Sequence, residues 1–181
     1  MEYILKSGLK LNIRSIEEKD ASDFLEFMKV VHSETKFLGR EGSEFTETVD
    51  DEIKRINEVR TDENIEIFVA EIDNKIVGQI TVAIVRNKLR YLHRARIGIM
   101  ILQAWTGKGI GGKLMQEMIN WCNNKSPRVE QIELEVVVGN DKAYNMYKNF
   151  GFVEFGRLPN AFKYLDGTYA DQYFMIKNLK H

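Results

Sequence analysis

The segment from Arg94 to Val138 constrains this chain more than any other. "RARIGIMI" is a β-branched run, and "AWTGKGIGGKLM" is a loop with glycines at 107, 109, 111 and 112. Leu114, Met115, Met118, Ile119 and Cys122 then repeat at helical spacing, and "QIELEVVV" is a second strand-like run. Strand, helix, strand in that order needs a crossover connection, so the two strands are expected to run parallel. The crossover helix starts where side chains are missing, and there free backbone N–H groups at the positive end of the helix dipole suit a phosphate.

Three phosphate loops nearly fit. Gly107, Gly112 and Lys113 satisfy all but the last letter of G-x-x-x-x-G-K-[ST], but Leu114 stands where a hydroxyl must hold magnesium. Gly107, Gly109 and Gly112 spell G-x-G-x-x-G, a fingerprint that follows its strand directly and wants an acid at the end of the next strand. Here Gln103 to Thr106 intervene, and Glu133 and Glu135 lie inside the next run. What remains is a loop that wraps a pyrophosphate with backbone amides and no metal.

The flanking sequence reads as one mixed α/β domain over residues 1–181. "LKLNIRSI" alternates as a strand, residues 20–31 and 48–59 carry helical stripes, and Thr48 with Asp51 forms a capping-box signature. Residues 64–72 and 75–85 are strands joined at Asp73-Asn74, and a turn near Asn87-Lys88 leads to the strand at Arg94, giving an antiparallel meander. Asn140 is the expected N-cap of "DKAYNMYKNF", with Gly151 at its left-handed C-terminal position. "FVEFGRL" and "TYADQYFMI" flank a last turn at Asp166-Gly167.

Charge and cysteine content exclude some classes. Twenty-six basic and twenty-seven acidic side chains leave a net charge of -1, so nothing global attracts nucleic acid or an anionic membrane. "RNKLRYLHRAR" lacks the aromatic platform of a nucleic-acid binder, and neither partner is expected. Cys122 is the sole cysteine, and "MEYILKSGLKLNIRS" has no apolar run suited to a signal peptide or membrane span, so a reducing cytoplasm is the expected setting. The three histidines are scattered, and no metal is expected.

"IGIMILQAWTGKGIGGKLM" and "IELEVVVGNDKAYNMYKNFGF" together resemble the acetyl-CoA motif pair of the GNAT N-acetyltransferase superfamily, which includes bacterial amino-acid N-acyltransferases and ribosomal-protein alanine acetyltransferases. The resemblance implies a mixed, mostly antiparallel seven-stranded sheet with helices on both faces and a splayed parallel pair at the cofactor site. It implies acetyl-CoA as co-substrate. Ile99, Met100 and Ile101 would lie along the acetyl group and pantetheine arm, and Gly107, Lys108, Gly109, Ile110, Gly111 and Gly112 around the pyrophosphate. Asn140, Ala143, Tyr147, Gly151 and Phe152 match N-x-x-A-x-x-x-Y-x-x-x-G-F. One departure is Thr106, where the family's loop usually carries Gln or Arg.

Acetyl transfer to an amine needs a base, a polarised thioester carbonyl and a proton for the thiolate. By the resemblance Glu135 is the first choice of base and Tyr147 the acid, with the Ile101 N–H on the carbonyl. Glu133, two residues before Glu135, shares its strand face and is the second choice of base. A solvated strand face and a packed helix would use the same glutamates and tyrosine. Residues 41–63, which the resemblance places beside the acceptor site, hold nine acidic and three basic side chains, which suits a cationic acceptor or a solvated helix. "LPNAFKYLDGTYADQYFM" resembles the last hairpin of amino-acid N-acyltransferases, which ranks a free amino acid or other small amine first, protein N-termini second and polyamines third. A non-catalytic coenzyme A binding module is the alternative from another class. The superfamily also allows a homodimer, which no feature of the sequence sets.

Overall fold

In the computed structural model, which describes residues 1–85, 88–125 and 129–179, the chain alternates strands and helices in the order the patterning predicts. The strands are β1 (Glu2–Ile4), β2 (Lys10–Ser15), β3 (Ile65–Ile72), β4 (Lys75–Ile84), β5 (Arg94–Ile101), β6 (Gln131–Val137), β7 (Val153–Lys163) and β8 (Tyr169–Asn178). The helices are α1 (Ala21–Ser33), α2 (Val49–Thr61), α3 (Ile110–Lys125) and α4 (Asp141–Asn149). The eight described strands form one sheet of order β1-β2-β3-β4-β5-β6-β8-β7. Only β5 and β6 pair in parallel, as the crossover requires.

Local chemistry accounts for the joints. Asp73 and Asn74 both take positive φ, the geometry of a two-residue hairpin between β3 and β4. Thr48 and Asp51 exchange hydrogen bonds at the start of α2, and the Asn140 side chain accepts from the Ala143 N–H at the start of α4. Gly151 follows α4 at φ 82°, a position where a Cβ would be strained. Of the turn expected at Asn87-Lys88, Asn87 lies outside the described residues, and Lys88 precedes a 3-10 turn over Leu89–Tyr91.

One feature differs from the expectation. The sheet has eight strands rather than seven because Glu2–Ile4 pairs with β2. Its hold is tertiary: the Tyr3 hydroxyl donates to Glu117, a buried carboxylate on α3, and burial with that partner pushes the phenol up to about 12. In the last hairpin the later strand, β8, lies between β6 and β7.

The sheet separates two cores. On one face Leu114, Met115 and Met118 of α3 and Tyr147 of α4 pack against Ile80, Ile132, Leu134 and Val136. On the other, Phe24 and Phe27 of α1 and Ile56 of α2 pack against Ile67 and Val69. Strand alternation therefore turns Ile97, Ile99 and Ile101 toward α3, and Met100 toward α1. Burial of these two apolar faces is what places helices on both sides.

Below α1, Arg14 forms paired hydrogen bonds to Asp20 at 2.6 and 2.8 Å and reaches Glu71 at 2.7 Å. Burial alone would raise the Asp20 carboxyl, but the guanidinium and the Glu17 N–H outweigh it and hold the group below its ordinary range. A carboxylate depressed in the folded state stabilises at pH above its unfolded value, about 3.9, and that contribution fades as pH falls through the folded value. Thermal melts from pH 7 to pH 3 should therefore show the wild type losing stability on the acid side, whereas Asp20→Asn starts lower and changes less.

Candidate active site

The parallel pair is short. Arg94, Ala95 and Arg96 pair with Gln131, Ile132 and Glu133, and beyond them β5 and β6 diverge. The hydrogen-bond phase of β5 decides what the gap exposes. The Leu102 N–H donates to the Val77 carbonyl, and the Val85 N–H to the Arg94 carbonyl, so the even-numbered residues from Arg94 to Leu102 are the hydrogen-bonded partners of β4. The N–H and C=O groups of Ile99 and Ile101 consequently point the other way, into a gap that β6 has left. A cavity of about 740 Å³ fills the gap, lined by Ile97–Ile101 on one strand and Glu135–Val137 on the other.

One end of this cavity is the glycine loop. Gly107 and Gly109 adopt φ of 75° and 89°, and a Cβ on either would stand in open space, so the chain bends sharply without filling the cradle. α3 starts at Ile110, and the Lys113 N–H already bonds to the Gly109 carbonyl, which leaves the Ile110, Gly111 and Gly112 amides as the open donors of the helix N-terminus. Gly111 has a separate reason to be small: a Cβ there would lie 2.8 Å from Met146 Sδ and 3.2 Å from Ile101 Cδ1. It is where α3, α4 and β5 meet. The Thr106 hydroxyl donates to the Gln103 carbonyl at 3.0 Å and lines the cavity.

Ile99, Met100, Ile101, Gly107, Gly109, Gly111, Gly112, Asn140, Tyr147 and Glu135 all line this one cavity. The side chains of Lys108 and Ile110 do not: Lys108 Nζ sits 4.3 Å over the Trp105 ring, and Ile110 is buried in the core. Glu133 also lies outside it. Its buried carboxylate takes a hydrogen bond from the Arg94 guanidinium and has Arg96 Nε at 3.6 Å, so both oxygens are engaged by arginine. Glu135, one step further along the same strand face, is exposed and has neither hydrogen bond nor ion pair among the described residues.

Alternation puts Leu134 and Val136 on the α3 side and hence Glu135 on the α1 side of the gap. Tyr147 enters from α4 on the other side. It is buried against Phe152, ring centroids 5.9 Å apart, and its hydroxyl makes no hydrogen bond among the described residues. Burial pushes its pKa far up, so the phenol keeps its proton through the neutral range. A carboxylate and a proton-bearing phenol thus reach one gap from opposite faces of the sheet.

The α1 side of the cavity comes from residues with no motif signature: Val31, Glu34, Thr35, Phe37 and Leu38. The Phe37 ring comes within 4.0 Å of the place a Gly139 Cβ would take, spanning from α1 to the β6–α4 turn. Glu34 accepts the Gln103 N–H at 2.7 Å. The acidic stretch 41–63 is largely committed to its own structure: Glu47 pairs with Arg40, Glu52 with Arg55, Asp51 caps α2, and Glu41 and Glu44 cap each other. Among the described residues no group of three His, Cys, Asp or Glu side chains is placed to hold a metal, and no helix is long and apolar enough to cross a membrane.

Comparison with known proteins matches the model of the acetyltransferase (GNAT) family to residues 27–152. The chain belongs to this family. Like this GNAT chain, an acetyltransferase of GNAT family from Streptococcus pneumoniae has the same fold, at a TM-score of 0.88 and 26% identity over 93% of this chain and 99% of that one. The yncA protein of Salmonella typhimurium, solved with its cofactor acetyl-CoA, superposes at a TM-score of 0.81 with 16% identity, covering 94% and 95% of the two chains. An L-amino acid N-acetyltransferase of Escherichia coli, AaaT, is 37% identical over 110 residues, which are 61% of this chain. That alignment spans 66% of AaaT, just under two thirds of its length.

Proposed function

We propose that this GNAT protein moves the acetyl group of acetyl-CoA directly to a small primary amine, a free amino acid first among them, in the cytoplasm. One observation carries the reading: an unpartnered Glu135 carboxylate and a buried Tyr147 phenol reach a single strand gap from opposite sides. The residues fit acetyl-CoA. The side-chain-free loop at Gly107 and Gly109 and the open amides of α3 suit its pyrophosphate, and the unpaired Ile99 and Ile101 backbone suits its amide-bearing arm. Likeness to the L-amino acid N-acetyltransferase of E. coli supports the acceptor class. The free, buried Cys122 thiol is in keeping with a reducing compartment.

The steps follow from the groups in place. Amines arrive largely protonated, since an α-amine titrates near about 8 and a lysine-type amine near about 10.4. Glu135, directly or through water, takes the ammonium proton. The freed nitrogen attacks the thioester carbonyl carbon while the Ile101 N–H supports the oxygen as it gains negative charge. The C–S bond breaks, the departing thiolate takes the Tyr147 proton, and the second N–H proton, which the new amide must shed, passes to the Tyr147 phenolate. Return of that proton means the buried site never holds a lasting phenolate, the form that burial disfavours.

Incubating the protein with acetyl-CoA and a panel of amino acids, peptides and diamines, and following free thiol, tests this directly. Turnover on amino acids is the expected result. Glu135→Gln should lower kcat/KM about 100-fold at neutral pH, and the deficit should shrink as pH approaches the amine's own pKa, where free base no longer has to be generated. Tight acetyl-CoA binding with no turnover on any amine would leave the non-catalytic binding module as the reading.

A further inference from the structure

We infer that Glu34, at the C-terminal end of α1, is the residue that binds the acceptor as an ammonium ion; the inference rests on the acetyl-transfer reading above. Glu34 lines the cavity, half-buried, on the side from which Glu135 enters. Its Oε2 accepts the Gln103 N–H at 2.7 Å, while Oε1 has no partner among the described residues. Gln103 lies two residues past Ile101, whose amide faces the gap. That bond therefore fixes the carboxylate to the same strand end that would hold the thioester.

The surroundings make the charge matter. On the α1 side the wall beside Glu34 is Val31, Thr35, Phe37 and Leu38, mostly apolar, and among the described residues the one Lys or Arg lining the cavity, Lys142, belongs to α4. An ammonium leaving water for such a wall is costly unless a hydrogen-bonded opposite charge receives it. Two carboxylates are available, and their environments divide the labour. Glu135, unpartnered, is free to accept a proton. Glu34, half-committed to a backbone amide, is oriented to offer its other oxygen as a fixed acceptor. Acetylation turns the cation into a neutral amide, so the product loses its hold on Glu34 as soon as transfer is complete. Glu34 accordingly governs amine binding, and its loss spares the chemical step.

Glu34→Gln separates charge from position, because the amide oxygen of Gln still accepts the Gln103 N–H. The expected result is an amine KM raised about 10- to 100-fold, with kcat and the acetyl-CoA KM within about twofold of wild type. An unchanged amine KM overturns the inference. So does a parallel rise in both KM values, which would make Glu34 a loop tie and no more. A second measurement needs neither the variant nor turnover. Calorimetry on the wild type should show a trimethylammonium analogue of the best amine binding at least about tenfold tighter than its neutral tert-butyl isostere; equal affinity overturns the inference. Absence of turnover by the wild type on every amine strikes the acetyl-transfer reading instead, and is read in a separate assay.

Discussion

Tyr147→Phe is expected to lower kcat by about two to three orders of magnitude, with the acetyl-CoA KM within about twofold of wild type. The large effect follows from what is removed. Among the described residues the hydroxyl has no hydrogen-bond partner, so its one contribution is the proton it can give, and its loss leaves no buried group unpaired. The Phe ring retains the packing against Phe152, and the melting temperature should stay close to wild type. Burial also sets a pH signature. A phenol whose pKa is raised keeps its acid form to higher pH than an ordinary tyrosine, so kcat should not decline near pH 10. A decline there that persists in the variant would assign the proton to a different, ordinary phenol, and one that vanishes with the hydroxyl would mean that Tyr147 itself titrates like an unburied phenol. An unchanged kcat in the variant would remove Tyr147 from the mechanism.

The second large effect is expected at the glycine loop. Gly109→Val must hold a β-branched residue at φ 89°, a conformation costing about 1–3 kcal/mol, and its side chain projects into space the pyrophosphate would occupy. Acetyl-CoA affinity, read by calorimetry, should fall about 100-fold or more. Gly112→Ala is the control within the same loop. There a Cβ meets nothing nearer than the Phe150 ring at 4.0 Å and φ is not positive, so affinity should change little. Equal losses in both variants would mean that the loop answers to bulk in general and not to the bend at Gly109.

Much of this was legible in the sequence because it depends on neighbours a few residues apart. The capping box at Thr48, the Asp73-Asn74 turn and the amphipathic stripe of α3 are local bargains between side chains and backbone, and each stands as predicted. The glycine loop was readable for the same reason, since a helix N-terminus and its glycines lie in one segment. Glu133 and Glu135 were not separable that way. Alternation gives both the same face, and only the arrival of Arg94 and Arg96 from the neighbouring strand engages one and leaves the other open.

The acceptor side was silent for a related reason. Glu34 and Phe37 carry no spacing signal, because what makes them part of the site is a hydrogen bond to Gln103, 69 positions away, and a reach across to Gly139. Gly111 changed meaning likewise: in the motif it belongs to the phosphate loop, whereas in the fold it is the contact that lets α3, α4 and β5 approach. The sequence by itself determined the order of the helices and of seven strands, the parallel crossover and the glycine loop before α3, all set by periodicity and local backbone chemistry. The tertiary structure alone decided the inserted β8, the eighth strand, which glutamate is open and which residues of α1 and its following loop line the cavity, because these depend on surfaces brought together from distant parts of the chain.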